Sequence, residues 1–187
     1  MNLILASQSP RRKELLGLLG IEFQVRVADI DETMDPTADP REEVARVSRL
    51  KALAVPADQS DVVIAADTIV VCQGKILGKP KNPEDAKQML HLLSGRSHQV
   101  MTGMTVRRGL QEIVATEVTQ IQFRTLSEKE IDRYVASGEP MDKAGAYGIQ
   151  GGAALFCQGM EGDYYNVVGL PVCRLTQILT QLVPEWF

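Results

Sequence analysis

The chain is expected to fold as an α/β protein built on a mixed, twisted sheet flanked by helices, and three features carry that expectation. Short apolar runs with strand character, at residues 3–5 and 62–66, alternate with helical segments through the first half. Two longer β-prone segments, residues 99–106 and 113–123, follow one another across Arg107-Arg108-Gly109 and read as an antiparallel pair. Three helices announce their starts with a capping residue followed by proline, at Ser9-Pro10, Asp39-Pro40 and Asn82-Pro83. This order of elements is compatible with two lobes and a cleft. Its 187 residues are expected to form a single domain over 1–187, with ample length for a core.

The elements follow in order. Leu3-Ile4-Leu5 reads as a buried strand. Pro10 opens a helix with an apolar stripe of Leu15, Leu16, Leu18 and Leu19, closed by Gly20. Residues 22–27 alternate and suggest a second strand. The helix begun at Pro40 runs to about Val55. Val44, Val47, Leu50 and Leu53 recur along it at three-residue steps as its expected inner face, with Lys51 beside them. Residues 62–66 form a continuous apolar run, the pattern of a strand covered on both sides, and this run is expected to end at Asp67-Thr68 before Ile69-Val70-Val71 resumes. Gln73-Gly74-Lys75 reads as a hairpin turn, and Gly95 as the stop of the helix begun at Pro83. Ser127-Glu128-Lys129-Glu130 is a capping box opening a helix that Gly138 ends. Residues 142–152 are rich in glycine and alanine, which suggests close backbone approach to a neighbour. Residues 154–157 and 164–168 read as strands, and residues 172–182 as a final amphipathic helix.

Composition excludes several classes. A net charge of −4 argues against binding a nucleic-acid polymer, which needs a broad basic surface. Cys72, Cys157 and Cys173 are odd in number and show neither a disulfide framework nor metal-type spacing, so a reducing compartment is expected. No stretch reaches the roughly 20 apolar residues of a membrane span, and no signal peptide is evident. A cytoplasmic protein with no membrane partner is the expectation.

The chemistry concentrates in the first loop. Ser7, Ser9, Arg11, Arg12 and Lys13 surround the start of a helix, where free N–H groups and the dipole already favour anions. Cations there oppose the dipole. Arginine forks that match phosphate oxygens supply a reason for them, a polyphosphate site, and a solvated basic turn is the alternative. No P-loop, dinucleotide fingerprint or metalloprotease motif is present, and with only His91 and His98 there is no histidine-rich metal site. Ser48-Arg49-Leu50-Lys51 matches SxxK by chance, without the companion motifs. Asp67, after the most apolar run, is placed either to bind a ligand or to cap a turn. Asp31 and Glu32 lie in an acidic loop whose oxygens suit Mg²⁺ or Mn²⁺ and whose alternative is simple solvation. Lys51 and Lys79 are candidate phosphate partners.

Taken in order, Leu5-Ala6-Ser7-Gln8-Ser9-Pro10-Arg11-Arg12, Asp31-Glu32, Ala66-Asp67-Thr68, Gly78-Lys79-Pro80, Leu93-Ser94-Gly95, the block from Asp142 to Gly151 and Val168-Gly169-Leu170-Pro171 resemble the motif blocks of the Maf family of nucleoside triphosphate pyrophosphatases. The resemblance spans essentially the whole chain. It implies a mixed α/β fold with a deep cleft, related to inosine triphosphatases. It also implies a divalent cation and cleavage of a nucleoside triphosphate to monophosphate and pyrophosphate, and it is compatible with a homodimer. By the same resemblance Asp67 is the proton acceptor, and Arg11, Thr68 and Gln150 bear on substrate choice. The uninterrupted block ending at Gly151 is similar to the dTTP/UTP subgroup. Ala65 stands where the family usually has glycine.

Joined, the two lines give an expected site. Arg11, Arg12, Lys51 and Lys79 hold the triphosphate, with Ser7, Ser9 and the helix N-terminus beside them. Glu32 and Asp67 hold the metal, and Asp67 activates water. The amide of Gln150 both donates and accepts, as the O4 and N3–H of uracil or thymine require. Nucleotide-pool housecleaning is the expected role. A different class stays open, because some relatives are linked to inhibition of septum formation: a nucleotide-binding regulator without turnover.

Overall fold

A computed structural model describes residues 1–186. In chain order they form β1 (Leu3–Leu5), α1 (Pro10–Gly17), β2 (Phe23–Val25), α2 (Pro40–Ala54), β3 (Val62–Cys72), β4 (Lys75–Leu77), α3 (Pro83–Leu93), β5 (Ser97–Arg108), β6 (Gln111–Phe123), α4 (Glu128–Ala136), β7 (Cys157–Glu161), α5 (Tyr164–Val168) and α6 (Val172–Leu182). The strands make one mixed sheet ordered β2-β1-β3-β5-β6-β7, with β4 antiparallel against β3. β1 runs parallel to both β2 and β3, and β7 runs antiparallel to β6. The expected mixed α/β class holds. Among the described residues no helix is long and apolar enough to cross a membrane.

The chain clusters as two compact units. The first comprises Met1–Asp67, Thr102–Glu117 and the chain from Gly169 onward. Its core includes Ile4, Val63 and Ala65 from the strands and Ala6 just past β1, packed with Ala52 near the end of α2 and Val55 just after it. α2 lies directly on β5. A Cβ on Gly103 would overlap the Val44 carbonyl, and the buried Ser48 and Thr105 hydroxyls bond at 2.8 Å. Arg107 then donates to the carbonyls of Ala52 and Val55 at 2.9 and 2.7 Å, closing the end of the helix. The second unit comprises Thr68–Met101 and Val118–Val168. Its core gathers Leu90 and Leu93 of α3, Ile131 and Tyr134 of α4, and the aromatic rings of Phe123, Tyr147 and Phe156.

Four local expectations are corrected. Residues 62–72 form one continuous strand, so Asp67 lies within it and not at its end. β1 pairs with β3 only as far as Leu5 opposite Ile64, so the strand outruns that partner before it reaches Asp67. On α2, Leu50 and Leu53 are exposed, and the buried face is Glu43, Val44, Val47, Ser48 and Ala52. A three-residue step falls about 60° short of a full turn, so such a series rolls off the inner face. Residues 164–168 are helical. Strand-prone residues are overridden there because Asn166, fully buried, donates to the Val100 carbonyl at 3.1 Å and to Thr119 Oγ1 at 2.9 Å. The seventh strand is Cys157–Glu161, preceded by a 3₁₀ turn at Gly152–Leu155 in place of the strand expected at 154–157.

Candidate functional site

The first unit gathers acids and cations at the start of α1. Ser9 caps the helix, its Oγ accepting the Arg12 N–H at 3.4 Å, with Pro10 in the first turn. Ser7 is buried, and its hydroxyl oxygen accepts from the Ser9 N–H at 3.2 Å and from the Arg12 guanidinium at 3.3 Å. The same guanidinium donates through Nε to the carbonyl of Gly169 at 2.8 Å. Arg12 is thereby held across the loop and not splayed into solvent. Burial lowers its pKa, the charge of Asp67 opposes that lowering most, Arg11 adds to it, and Glu32 opposes it. Arg12 therefore feels both acids and its neighbouring arginine at once.

Lys51 joins the acids. Its Nζ donates to Asp67 Oδ1 at 2.6 Å and lies 2.9 Å from Glu32 Oε2. Lys51 and Asp67 expose only 14% of their side chains, whereas Glu32 exposes 58%. The loop carrying Glu32 is fixed from α2. Glu43 accepts the Asp35 N–H at 2.8 Å and pairs with the Arg46 fork at 2.8 Å, and Arg46 also donates to the Thr33 carbonyl at 2.8 Å. The bond from Arg46, above all, holds the Glu43 carboxyl down at about 2.

Two hard carboxylate oxygens therefore meet at one point of positive charge. That donor set fits Mg²⁺ or Mn²⁺, which take one or two carboxylates and fill the remaining positions with phosphate oxygens and water. Among the described residues no group of three or more His, Cys, Asp or Glu side chains gathers as a ready-made metal cage.

Of the sequence candidates, Ser7, Ser9, Arg11, Arg12, Glu32, Lys51 and Asp67 all belong to this unit. Thr68, Lys79 and Gln150 belong to the second. Thr68 follows Asp67 on β3 and is partly exposed, Lys79 is exposed just past β4, and Gln150 is exposed on the turn before Gly152–Leu155. Sequence reasoning gave no role to Gly169, whose carbonyl orients Arg12. Its signal was present in the Val168-Gly169-Leu170-Pro171 block. The φ of +126° there is a conformation that L side chains rarely adopt. Glu43 and Arg46 were also missed, since an i,i+3 pair on a helix looks like ordinary surface charge.

A family model described as Maf-like protein matches residues 2–182. A protein of Bacillus cereus strain B4264 named dTTP/UTP pyrophosphatase is 48% identical over 180 residues, covering 96% of this chain and 94% of that protein. One of Bacillus anthracis with the same name is 49% identical over the same coverage. Among solved structures, a HAM1 protein from Coxiella burnetii aligns over 97% of this chain and 99% of its own, with a TM-score of 0.53 and 16% identity, a likeness of fold alone.

Proposed function

This chain belongs to the Maf-like protein family, and from that premise we propose that it hydrolyses dTTP and UTP to the nucleoside monophosphate and pyrophosphate. The observation that carries the reading is the meeting of Asp67, Lys51 and Glu32, with the charge of Arg12 coupled to both acids. A binder of nucleotides has no need of a carboxylate beside its phosphate-holding cations. A hydrolase does, because the attacking water must lose a proton where negative charge is already crowded.

Arg11, Arg12 and the N–H groups at the start of α1 bind the phosphate chain and neutralise charge on the leaving group. Lys51 orients Asp67 by the 2.6 Å bond and steadies Glu32 from the other side. Asp67 accepts a proton from the water whose oxygen attacks the α-phosphorus. The new P–O bond forms there as the bond to the bridging oxygen breaks, and pyrophosphate carries away the electron pair. When bound by Asp67 and Glu32, a divalent cation would supply further neutralisation of the phosphate oxygens. Most of the acceleration is positioning and electrostatics, since no covalent intermediate is required. Lys79 is proposed as a further phosphate partner, and Thr68 and Gln150 as the residues that select the base. Gln150 offers the donor and acceptor that the O4 and N3–H of a uracil or thymine ring require.

The test is a product-resolved turnover panel of the standard nucleoside triphosphates, run with Mg²⁺ and with EDTA. Pyrophosphate release fastest from dTTP and UTP, and abolished by EDTA, is expected. Orthophosphate as the product, or no turnover of any nucleotide, overturns the reading, and the second result would favour a binding regulator.

A further inference from the structure

Gln150 stands on a turn that is tied down on both sides by one pair of residues. Tyr134, buried on α4, accepts the Gly148 N–H on its hydroxyl oxygen at 3.1 Å and donates that hydroxyl to Glu139 Oε1 at 2.9 Å. The second oxygen of the same carboxylate accepts the Gly152 N–H at 3.1 Å. The two backbone anchors therefore fall two residues before and two residues after Gln150. Lys143 fixes the backbone of Glu139 in turn, its Nζ donating to the Glu139 carbonyl at 2.7 Å. The packing is close: a Cβ on Gly151 would overlap the Glu139 carboxylate and one on Gly148 would stand 2.5 Å from the Lys143 stem, so a side chain at either position would displace the group packed against it. Burial, above all, raises the Tyr134 pKa, so its hydroxyl remains a donor at any physiological pH.

We propose that Tyr134 and Glu139 are positioning residues that set base selectivity by fixing the backbone on either side of Gln150, an inference that rests on the reading of Gln150 as the group facing the pyrimidine edge. An amide can meet the reversed donor and acceptor pattern of cytosine by turning over. Discrimination therefore depends on how firmly the amide is held. A site rejects the wrong base only when its polar groups are left unpaired by it, and a turn free to adjust removes that penalty.

The experiment measures kcat and KM for dTTP and dCTP in the full chain and in Tyr134→Phe, Glu139→Ala, Glu139→Gln, Gly151→Ala and Gln150→Ala. Losing one or two such bonds is expected to lower the dTTP preference about 10-fold in Tyr134→Phe and Glu139→Ala, through KM more than kcat. Glu139→Gln keeps an acceptor for Gly152 and a polar partner for Tyr134, and restores most of the preference. Gly151→Ala forces the turn and the Glu139 carboxylate apart without touching α4, and repeats the loss even if Tyr134→Phe folds poorly. If Gln150→Ala abolishes the preference while Tyr134→Phe, Glu139→Ala and Gly151→Ala all keep it within about twofold, the positioning role is overturned and the base reading survives. If Gln150→Ala keeps the preference, the base reading fails and takes the inference with it.

Discussion

Replacing Lys51 by methionine keeps the length and packing of the stem while removing the ammonium that Asp67 and Glu32 share. An exposed ion pair contributes about 0–1 kcal/mol, whereas removing one partner of a buried pair costs about 3–5 kcal/mol. Lys51 and Asp67 are each 14% exposed, and Glu32 at 58% keeps its own hydration. The loss therefore falls between the two limits, at about 2 kcal/mol, nearly all from Asp67 left with an uncompensated charge. For a chain of this length that is a fall in Tm of about 4–8 °C. Urea denaturation without divalent ions or nucleotide reads it directly, as a lower midpoint at unchanged slope. Asp67→Asn in the Lys51→Met background should recover part of the loss, giving a coupling of about 1–2 kcal/mol. A midpoint change worth less than about 0.5 kcal/mol, or strict additivity of the two substitutions, refutes the shared-cation geometry.

Two further effects test the scaffold. His98 is buried and its Nε2 bonds the Tyr147 hydroxyl at 2.8 Å, and burial lowers its pKa from 6.5 to about 4. The unfolded chain takes this proton first, so stability is full above pH 6.5 and falls by about 3 kcal/mol as pH approaches 4. His98→Gln should flatten that slope in urea midpoints between pH 7 and 4, and an unchanged slope would show that other groups carry it. Gly103→Ala pushes a methyl into the backbone of α2 at Val44. It should cost about 1–3 kcal/mol and lower turnover as well, since α2 carries Lys51, and wild-type stability would contradict the close packing of α2 on β5.

What could be read from the sequence was local. Ser9-Pro10, Asp39-Pro40 and Asn82-Pro83 each mark a helix start because cap and proline act within one turn, and all three caps form their expected bonds. The capping box at Ser127 and Glu130 likewise needs only its own four residues. What failed depended on distant partners. The helix at Tyr164–Val168 is held by bonds to Val100 and Thr119, which no periodicity reveals. The exposed Leu50 and Leu53 reflect which face of α2 meets β5, a choice made by Gly103 and Thr105 some fifty residues on. At the site, each of Arg12, Glu32, Lys51 and Asp67 could be nominated from charge, position or family motif. Their meeting is a property of the fold, and so is the use of one lysine by two acids. The glycines at 148, 151 and 152 announced a close approach, but not that Tyr134 and Glu139 were the groups approached.

The role of Asp67 is tested most directly by the rate of pyrophosphate release from dTTP by Asp67→Asn, with saturating nucleotide and Mg²⁺. Asparagine keeps the shape of the side chain and cannot take the proton, so kcat is expected to fall roughly 10² to 10⁴-fold, as for loss of a general base. Turnover within about threefold of the wild type would contradict that role and remove Asp67 from the chemistry.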